Sequence, residues 1–344
     1  YGKDDISIHC CGEGAIFLRK HIINILKRAR GTYVSGQALC EDLGVSRTAI
    51  WKHIQQLRAE GYEIDSSSRK GYRLIHVPDL LNSYEIEPLL ITTHLGHPIL
   101  HYKELDSTNI EARKLAHEGA THGSVVVAEH QTTGRGRSGR GWFSAPGTSI
   151  QMSLILRPDL APSLAASVTQ VGAAAVATAL QKLGLSPQIK WPNDILLSKR
   201  KVCGILTEMS CELDHIEHII IGIGINVNTP FFPRDIRSVA TSVQIEKGTP
   251  CDRKSLMAAI LNTFEPLYQG FLEGHPYPAY LRICRELSIL IGEEITYESP
   301  QGVTTATAID IDSSGHLVVR HKDGSTEALL SGEVHLGTGS YREP

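Results

Sequence analysis

No apolar run in the sequence is long enough to cross a bilayer. The longest uninterrupted one, around Ile219 to Val227, is about half of the roughly 20 residues a membrane helix needs, so no spanning segment is expected. No positively charged stretch followed by an apolar core opens the chain, so no secretory leader is expected either. The seven cysteines contain no CxxC pair and are odd in number, which argues against a disulfide framework or a structural zinc site and for a reducing cytoplasm. Chemical signatures are missing too. There is no Gly-Lys-Ser/Thr of a Walker A loop, no G-x-G-x-x-G on a strand-to-helix turn, and no G-x-S-x-G elbow. Net charge is also slight, at −3 over 344 residues. It is unevenly placed: 12 basic and 8 acidic residues up to Val77 leave about +4, and 22 against 29 after it leave about −7. A composition of 41% hydrophobic and 21% charged residues is that of globular proteins, and the length suggests two to three domains.

Tyr1 to Gly14 carries no usable pattern. From Ala15 the spacing of Ile16, Leu18, Ile22, Ile23, Ile25 and Leu26 predicts an amphipathic helix to about Arg30, stopped by Gly31. Ser35 caps a predicted short helix from Gly36 to Leu43, and Gly44 breaks it. Ser46 caps a longer helix, Arg47 to Glu60, with Ile50, Ile54 and Leu57 on one face. Helix, glycine turn and capped helix make a helix-turn-helix, whose second helix meets the major groove with its first turn. That places Ser46, Arg47, Thr48 and Lys52 toward DNA. The next segment, Tyr62 to Leu74, alternates about a tip that carries Arg69 and Lys70, the pattern of a wing. A small helical domain for protein contacts is the plainer alternative. So small a module makes few phosphate contacts, so a working version is expected to be a dimer on two-fold symmetric DNA. Pro78 then breaks the chain and sets the expected boundary.

Beyond it, strand-like runs outnumber helical ones: Ile99 to Glu104, Ser124 to Gln131, Thr148 to Leu156, Gln188 to Trp191, Ile195 to Leu197, Lys201 to Met209 and His218 to Val227. Helices are predicted at Thr108 to Glu118, Ser163 to Leu183 and Arg253 to Leu272. Neighbouring strands can pair by hairpins, which favours a mixed sheet on helices over a doubly wound parallel one. From Cys284 short strands alternate with turns such as Ser299-Pro300-Gln301-Gly302, which suggests a small SH3-like barrel.

The richest segment is Gly134-Arg135-Gly136-Arg137-Ser138-Gly139-Arg140-Gly141-Trp142. Four glycines let backbone amides approach a ligand, and three arginines present planar forks to phosphate or carboxylate oxygens. A disordered RNA-binding tract is the competing explanation for it. Lys190-Trp191-Pro192-Asn193-Asp194 ends a strand with a lysine positioned to neutralise an anion, although Asn193 and Asp194 are also ordinary turn formers. Gly222-Ile223-Gly224-Ile225-Asn226 leaves one strand face small enough for a slender ligand.

With Asp106-Ser107-Thr108-Asn109, Gln131 and Lys201-Val202-Cys203-Gly204-Ile205-Leu206, these segments resemble the bifunctional biotin protein ligases that also act as biotin operon repressors. The similarity runs from about Ile16 to the C-terminus. It implies an α+β chain: a winged helix-turn-helix at 15–77, a class II synthetase-like mixed-sheet ligase domain at 78–283, and an SH3-like barrel at 284–344. It also implies ATP-dependent formation of biotinyl-5′-AMP and transfer of biotin to a lysine of a carboxylase's biotin carboxyl-carrier domain. ATP, Mg²⁺ and biotin take part, and the protein itself supplies no metal ligands. Ser107, Thr108, Asn109, Gln131, Arg135, Gly136, Arg137, Lys190, Gly204 and Ile205 are the implied biotin contacts. Arg137, Arg140, Trp142, Asn193 and Asn226 are the implied adenylate contacts, with Lys190 and Arg137 catalytic. Trp142 fits a core anchor as well as an adenine platform, and Ser107 fits a helix cap as well as a ligand contact. The usual family loop carries a further arginine where Ser138 stands. A cytoplasmic homodimer acting on two-fold operator DNA is implied, with no membrane partner. A ligase with a vestigial DNA-binding domain and a lipoate-type ligase are the alternatives.

Overall fold

The computed structural model describes residues 7–212, 215–274, 278–299 and 302–337, so the predicted turn at Pro300 and Gln301 lies outside the described residues. Two compact units form, Tyr1–Pro88 and Leu89–Pro344.

The first contains α1 (Ser7–Arg28), α2 (Gly36–Leu43), α3 (Arg47–Ala59), the hairpin β1 (Glu63–Ser67) and β2 (Gly71–His76), and α4 (Ser83–Ile86). Helix α1 begins well before Ala15, where the sequence carries no periodicity. Both predicted caps form. Ser35 Oγ accepts from Gln37 N–H and Ser46 Oγ from Ala49 N–H, each at 3.2 Å, and Gly44 closes α2 in the left-handed region. Ile22, Ile23, Leu26, Leu39, Ile50, Ile54 and Leu57 are buried together, each contributing about 1.5–3 kcal/mol of hydrophobic stabilisation. The unit ends at Pro88, past the expected boundary at Val77, because a buried polar cluster draws the following residues in. Asn82 Nδ2 donates to the Tyr62 hydroxyl (3.3 Å), which donates to Glu85 Oε1 (2.7 Å), and Lys27 pairs with Glu85 at 2.7 Å.

The second unit is built on a seven-stranded sheet. Its strands are β3 (Ile99–Tyr102), β4 (Val125–Ala128), β5 (Ser149–Leu156), β6 (Gln188–Lys190), β7 (Asp194–Leu197), β8 (Arg200–Glu212) and β9 (His215–Asn226), ordered β3-β4-β5-β9-β8-β7-β6. The β3–β4 pair is parallel and the rest are antiparallel, the expected mixed sheet. Helix α5 (Thr108–His117) packs on the face formed by Ile155 and Ile220. Helix α6 (Ala165–Lys182) lies against α8 (Arg253–Leu272) and α9 (Ala279–Glu286), and the short α7 (Val243–Lys247) precedes them. The segment Pro162–Lys182 is long and apolar enough to cross a membrane, a property its mean hydropathy carries although its individual runs are short. It is 78% buried inside the fold, as a core helix is. The expected domain edge at Cys284 falls inside α9, where the buried Cys284 thiol contacts the Gln170 carbonyl at 3.5 Å. The SH3-like strands start later, as β10 (Glu294–Ser299), β11 (Gly302–Ile311), β12 (Leu317–Arg320), β13 (Thr326–Leu329) and β14 (Val334–Leu336) in one antiparallel sheet.

One buried ion network fixes both ends of the long β4–β5 connection. Arg253 Nη1 donates to Glu129 Oε2 (2.8 Å), just after β4, and to the Ser149 carbonyl (3.0 Å), at the start of β5. Glu129 Oε1 meets His101 Nε2 at 2.9 Å. A buried cation is tolerated only when paired in this way, and the pairing here anchors the segment that contains the arginine-glycine loop.

Candidate functional site

The arginine-glycine loop folds as a narrow, self-bonded loop. Gly136 N–H donates to Arg140 O (2.7 Å) and Trp142 N–H to Gly134 O (2.9 Å), with a single 3-10 turn at Arg137–Gly139. Its arginines reach across the unit. Arg137 donates to Asn193 Oδ1 and to the Gly332 carbonyl, each at 3.1 Å, and Arg140 pairs with Glu333. Gly332 and Glu333 immediately precede β14, so the barrel holds the loop over the sheet. An ordered loop of this kind excludes the disordered-tract explanation.

Beneath the loop is a cavity of about 510 Å³. Thr108, Gln131, Arg135, Gly136, Arg137, Arg140, Trp142, Lys190, Asn193, Gly204, Ile205 and Asn226 all line it, which brings together most of the residues expected from sequence. Lys190 ends β6 opposite Asp194 in the β6–β7 hairpin. Its neighbour Trp191 is buried and donates Nε1–H to the Gly315 carbonyl at 3.0 Å. The lysine's backbone is therefore fixed from both sides. The floor is small by necessity: a Cβ on Gly224 would stand 2.8 Å from the Trp142 ring, and one on Gly222 would stand 2.2 Å from Asn109 Oδ1. Trp142 thus packs directly on the sheet at Gly204 and Gly224, with Lys201 Nζ 5.9 Å from its ring centre, and Lys201 pairs with Asp194 at 2.8 Å. Its indole N–H has no hydrogen-bond partner.

Ser107 and Asn109 are not among the lining residues. Ser107 occupies the N-cap position of α5 but makes no capping bond. Gln131 Oε1 takes the Thr108 N–H (2.6 Å) and hydroxyl (3.0 Å) instead. The helix starts at Thr108, as predicted, and consecutive residues on it stand about 100° apart. Asn109 is thereby turned onto the sheet, where Ser153 Oγ donates to its Oδ1 (2.6 Å) and its Nδ2 donates to Glu208 (2.8 Å).

Several lining residues were not singled out from sequence. Gln151 is 1% exposed and both polar atoms of its amide lack partners. A glutamine inside the alternating apolar strand Ile150 to Leu156 was the available signal. Glu333 pairs with Arg140, far away in sequence, whereas Asp194 and Lys201, both in segments quoted from the sequence, pair with each other across the β7–β8 hairpin. Cys203, beside Gly204, is buried, and burial raises its thiol pKa, so it remains protonated and unreactive.

In the N-terminal unit, Arg47, Thr48, Lys52, Arg69 and Lys70 are exposed, as expected, and Ser46 is committed to its cap. Arg47 is steadied by Gln37 Oε1 at 2.9 Å. Trp51, 53% exposed, stands on the outer face of α3 with Thr48 and Lys52, about 100° from the core-facing Ile50. Lys70 and Arg73 lie over the Tyr33 ring, 5.5 and 4.6 Å from its centre.

The sequence matches three family profiles: an HTH domain over residues 18–73, the biotin/lipoate A/B protein ligase family over 102–226, and a biotin protein ligase C-terminal domain over 290–337. It is 38% identical over 323 residues to the bifunctional ligase/repressor BirA of Bacillus subtilis, covering 93% of this chain and 99% of that one. To the protein of the same name from Escherichia coli it is 31% identical, covering 90% and 94%. A solved biotin protein ligase from Aquifex aeolicus, in complex with biotin and ATP, superposes with a TM-score of 0.59 at 28% identity, covering 70% of this chain and 98% of that one.

Proposed function

The chain belongs to the bifunctional ligase/repressor family of biotin protein ligases, and on that premise we propose that it activates biotin with ATP, transfers it to an acceptor lysine and represses transcription through its winged helix. The observation that carries the enzymatic half is the convergence of Lys190 and the Arg135–Arg140 loop on one glycine-floored cavity. Attack of biotin's carboxylate on the α-phosphate of ATP brings two anions together. Lys190, Arg135, Arg137 and Arg140 lower the cost of that approach. Pyrophosphate leaves, and the acceptor's lysine amine then attacks the mixed anhydride and releases AMP. The protein needs no nucleophile of its own. The hydrogen-bonded loop and the Arg140–Glu333 pair keep water from the anhydride until the acceptor arrives.

The ligand contacts follow from chemistry. Biotin's ureido ring offers adjacent donors and acceptors, and the unpartnered Gln151 amide lies beside Thr108 and Gln131 in the cavity wall. Gly204 and Ile205 suit its aliphatic tail. Trp142, packed on Gly224, is the aromatic surface offered to the adenine. Ser107 and Asn109 act from behind, by supporting Thr108 and the floor at Gly222. Two of the lining carboxylates, Asp194 and Glu333, are already paired with cations. Mg²⁺ therefore fits as an ion carried on the nucleotide, where it neutralises phosphate charge. Gln151→Leu is expected to raise the KM for biotin about tenfold, roughly 1.4 kcal/mol. It should leave the melting temperature unchanged or higher, because a buried unpaired amide is removed. A lower KM in a steady-state titration would refute this role.

The acceptor is a biotin carboxyl-carrier domain, the site of action is the cytoplasm, and the DNA-bound form is a homodimer. Two copies match a two-fold operator, and one small module makes too few phosphate contacts to hold it alone. Arg47, Thr48 and Lys52 approach the bases and phosphates of the major groove, while Arg69 and Lys70 of the wing meet the backbone. Trp51 adds an apolar surface suited to thymine methyl groups. Trp51→Ala is expected to weaken operator binding about tenfold and spare non-specific binding, since base contacts carry about 1–3 kcal/mol of discrimination. Equal losses on both DNAs would place Trp51 on the backbone. The repressor half is tested by gel-shift titration on a two-fold symmetric operator with and without biotin and ATP. Binding strengthened by both ligands is expected, and no shift under any condition refutes it.

A further inference from the structure

Away from the cavity, the far end of α5 meets the outer half of β9 at three side chains that no step above uses: His117, Glu217 and His218. One ligand-capable atom from each lies within 4.8 Å of the others. Two independent features make this more than a chance cluster.

The first is a bulge. Residues 217 and 218 are adjacent on a strand, and on a regular strand their side chains would face opposite ways. Here Ser210 pairs with His218 and Cys211 pairs with Ile216, so Glu217 is the extra residue. Such bulges re-aim a side chain. Glu217 Oε2 accordingly lies 3.6 Å from His218 Nδ1, and its Oε1 lies 3.9 Å from His117 Nδ1.

The second is an orphaned nitrogen. His218 is 1% exposed and its Nδ1 has no hydrogen-bond partner, although a buried imidazole nitrogen ordinarily has one. His218 and His117 both line a recess of about 340 Å³. The two rings are edge to face with centres 4.9 Å apart.

We propose that His117, Glu217 and His218 form a zinc-class divalent metal site with an open fourth position for water. Two imidazoles and one carboxylate are a common donor set for such ions, which they hold at about 2.0–2.2 Å. His117, whose side chain is 53% exposed, has the freedom to close the remaining distance. The neighbouring cations are already engaged. Arg113 pairs with Glu208, and the Arg157 guanidinium donates to the Ala116, Ala120 and Glu217 carbonyls. Ser210 donates to Glu217 Oε2 at 2.9 Å and orients the carboxylate. A bound ion would join the C-terminal end of α5, whose first residue lines the ligand cavity, to the β8–β9 hairpin.

The test uses the metal-stripped full chain, titrated with Zn²⁺ against a chromogenic chelator, beside the variants His117→Ala and Glu217→Gln. The expected result is one tightly bound zinc per chain in the parent, absent in both variants. Co²⁺ in place of Zn²⁺ should give the ligand-field absorption of a nitrogen- and oxygen-ligated site in the parent alone. Because His117 is exposed, its replacement is expected to leave the melting temperature of the metal-free protein unchanged, so loss of zinc there is not misfolding. Zinc bound equally by all three proteins, or by none, overturns the proposal.

Discussion

Lys190→Ala is expected to slow the formation of biotinyl-5′-AMP by about 10²–10³, the usual cost of removing one preorganised charge from a polar transition state. The size follows from how the lysine is held. Its backbone pairs with Asp194 in the β6–β7 hairpin, and the next residue is buried and bonded to Gly315 through its indole. The side chain therefore starts from a backbone held at the cavity wall, and its ammonium can meet the charge that develops as a carboxylate attacks a phosphate. A water-filled gap left by alanine supplies no such charge. Single-turnover conversion of labelled ATP and biotin measures the step directly, and the melting temperature should barely move. An unchanged single-turnover rate would remove Lys190 from the chemistry and leave the loop arginines to account for it.

Gly71→Ala is expected to abolish operator binding while ligase activity persists. Gly71 has φ of +100°, a region in which alanine is strained. A Cβ there would also lie 1.9 Å from the Val34 carbonyl oxygen. That oxygen cannot move away, because Val34 and Tyr72 exchange backbone hydrogen bonds of 2.8 and 2.9 Å that tie the wing to the α1–α2 turn. Relieving the clash means breaking that bridge. The stability of so small a unit is about 5–10 kcal/mol. A strained backbone costs about 1–3 kcal/mol before any lost bonds are counted. Gel shift, hydrogen exchange over residues 32–76 and biotin transfer by the same preparation separate the outcomes. Retained operator affinity would mean that the wing pairing is dispensable; loss of transfer as well would mean that the ligase unit depends on it.

The parts of this protein that were legible in its sequence are those set by local rules. Ser35 and Ser46 cap the helices they precede, because capping is decided within three residues. The cationic character of the arginine-glycine loop and Lys190 was recognisable by residue type alone, and the fold brings them to one cavity. Contacts that close over long separations were not legible. The Gly71–Val34 approach, the Arg140–Glu333 pair and the Tyr62–Glu85 bond depend on tertiary placement, and the last of these moved the unit boundary to Pro88. Asn109 shows how narrow the margin is. One position past the cavity-lining Thr108, and about 100° around the helix, its side chain meets Ser153 and Glu208 instead of the cavity. Gln151 is one polar residue in an apolar strand, and only the folded chain shows its amide buried without a partner at the cavity wall.

The cavity beneath the Arg135–Arg140 loop is expected to make an acyl-adenylate from biotin. Exchange of labelled pyrophosphate into ATP by the purified chain tests it most directly, because only a reversible adenylation step supports it. Exchange that requires biotin, saturates with it and falls in Lys190→Ala is the predicted result. Exchange that is absent, or that proceeds equally without biotin, would contradict the account.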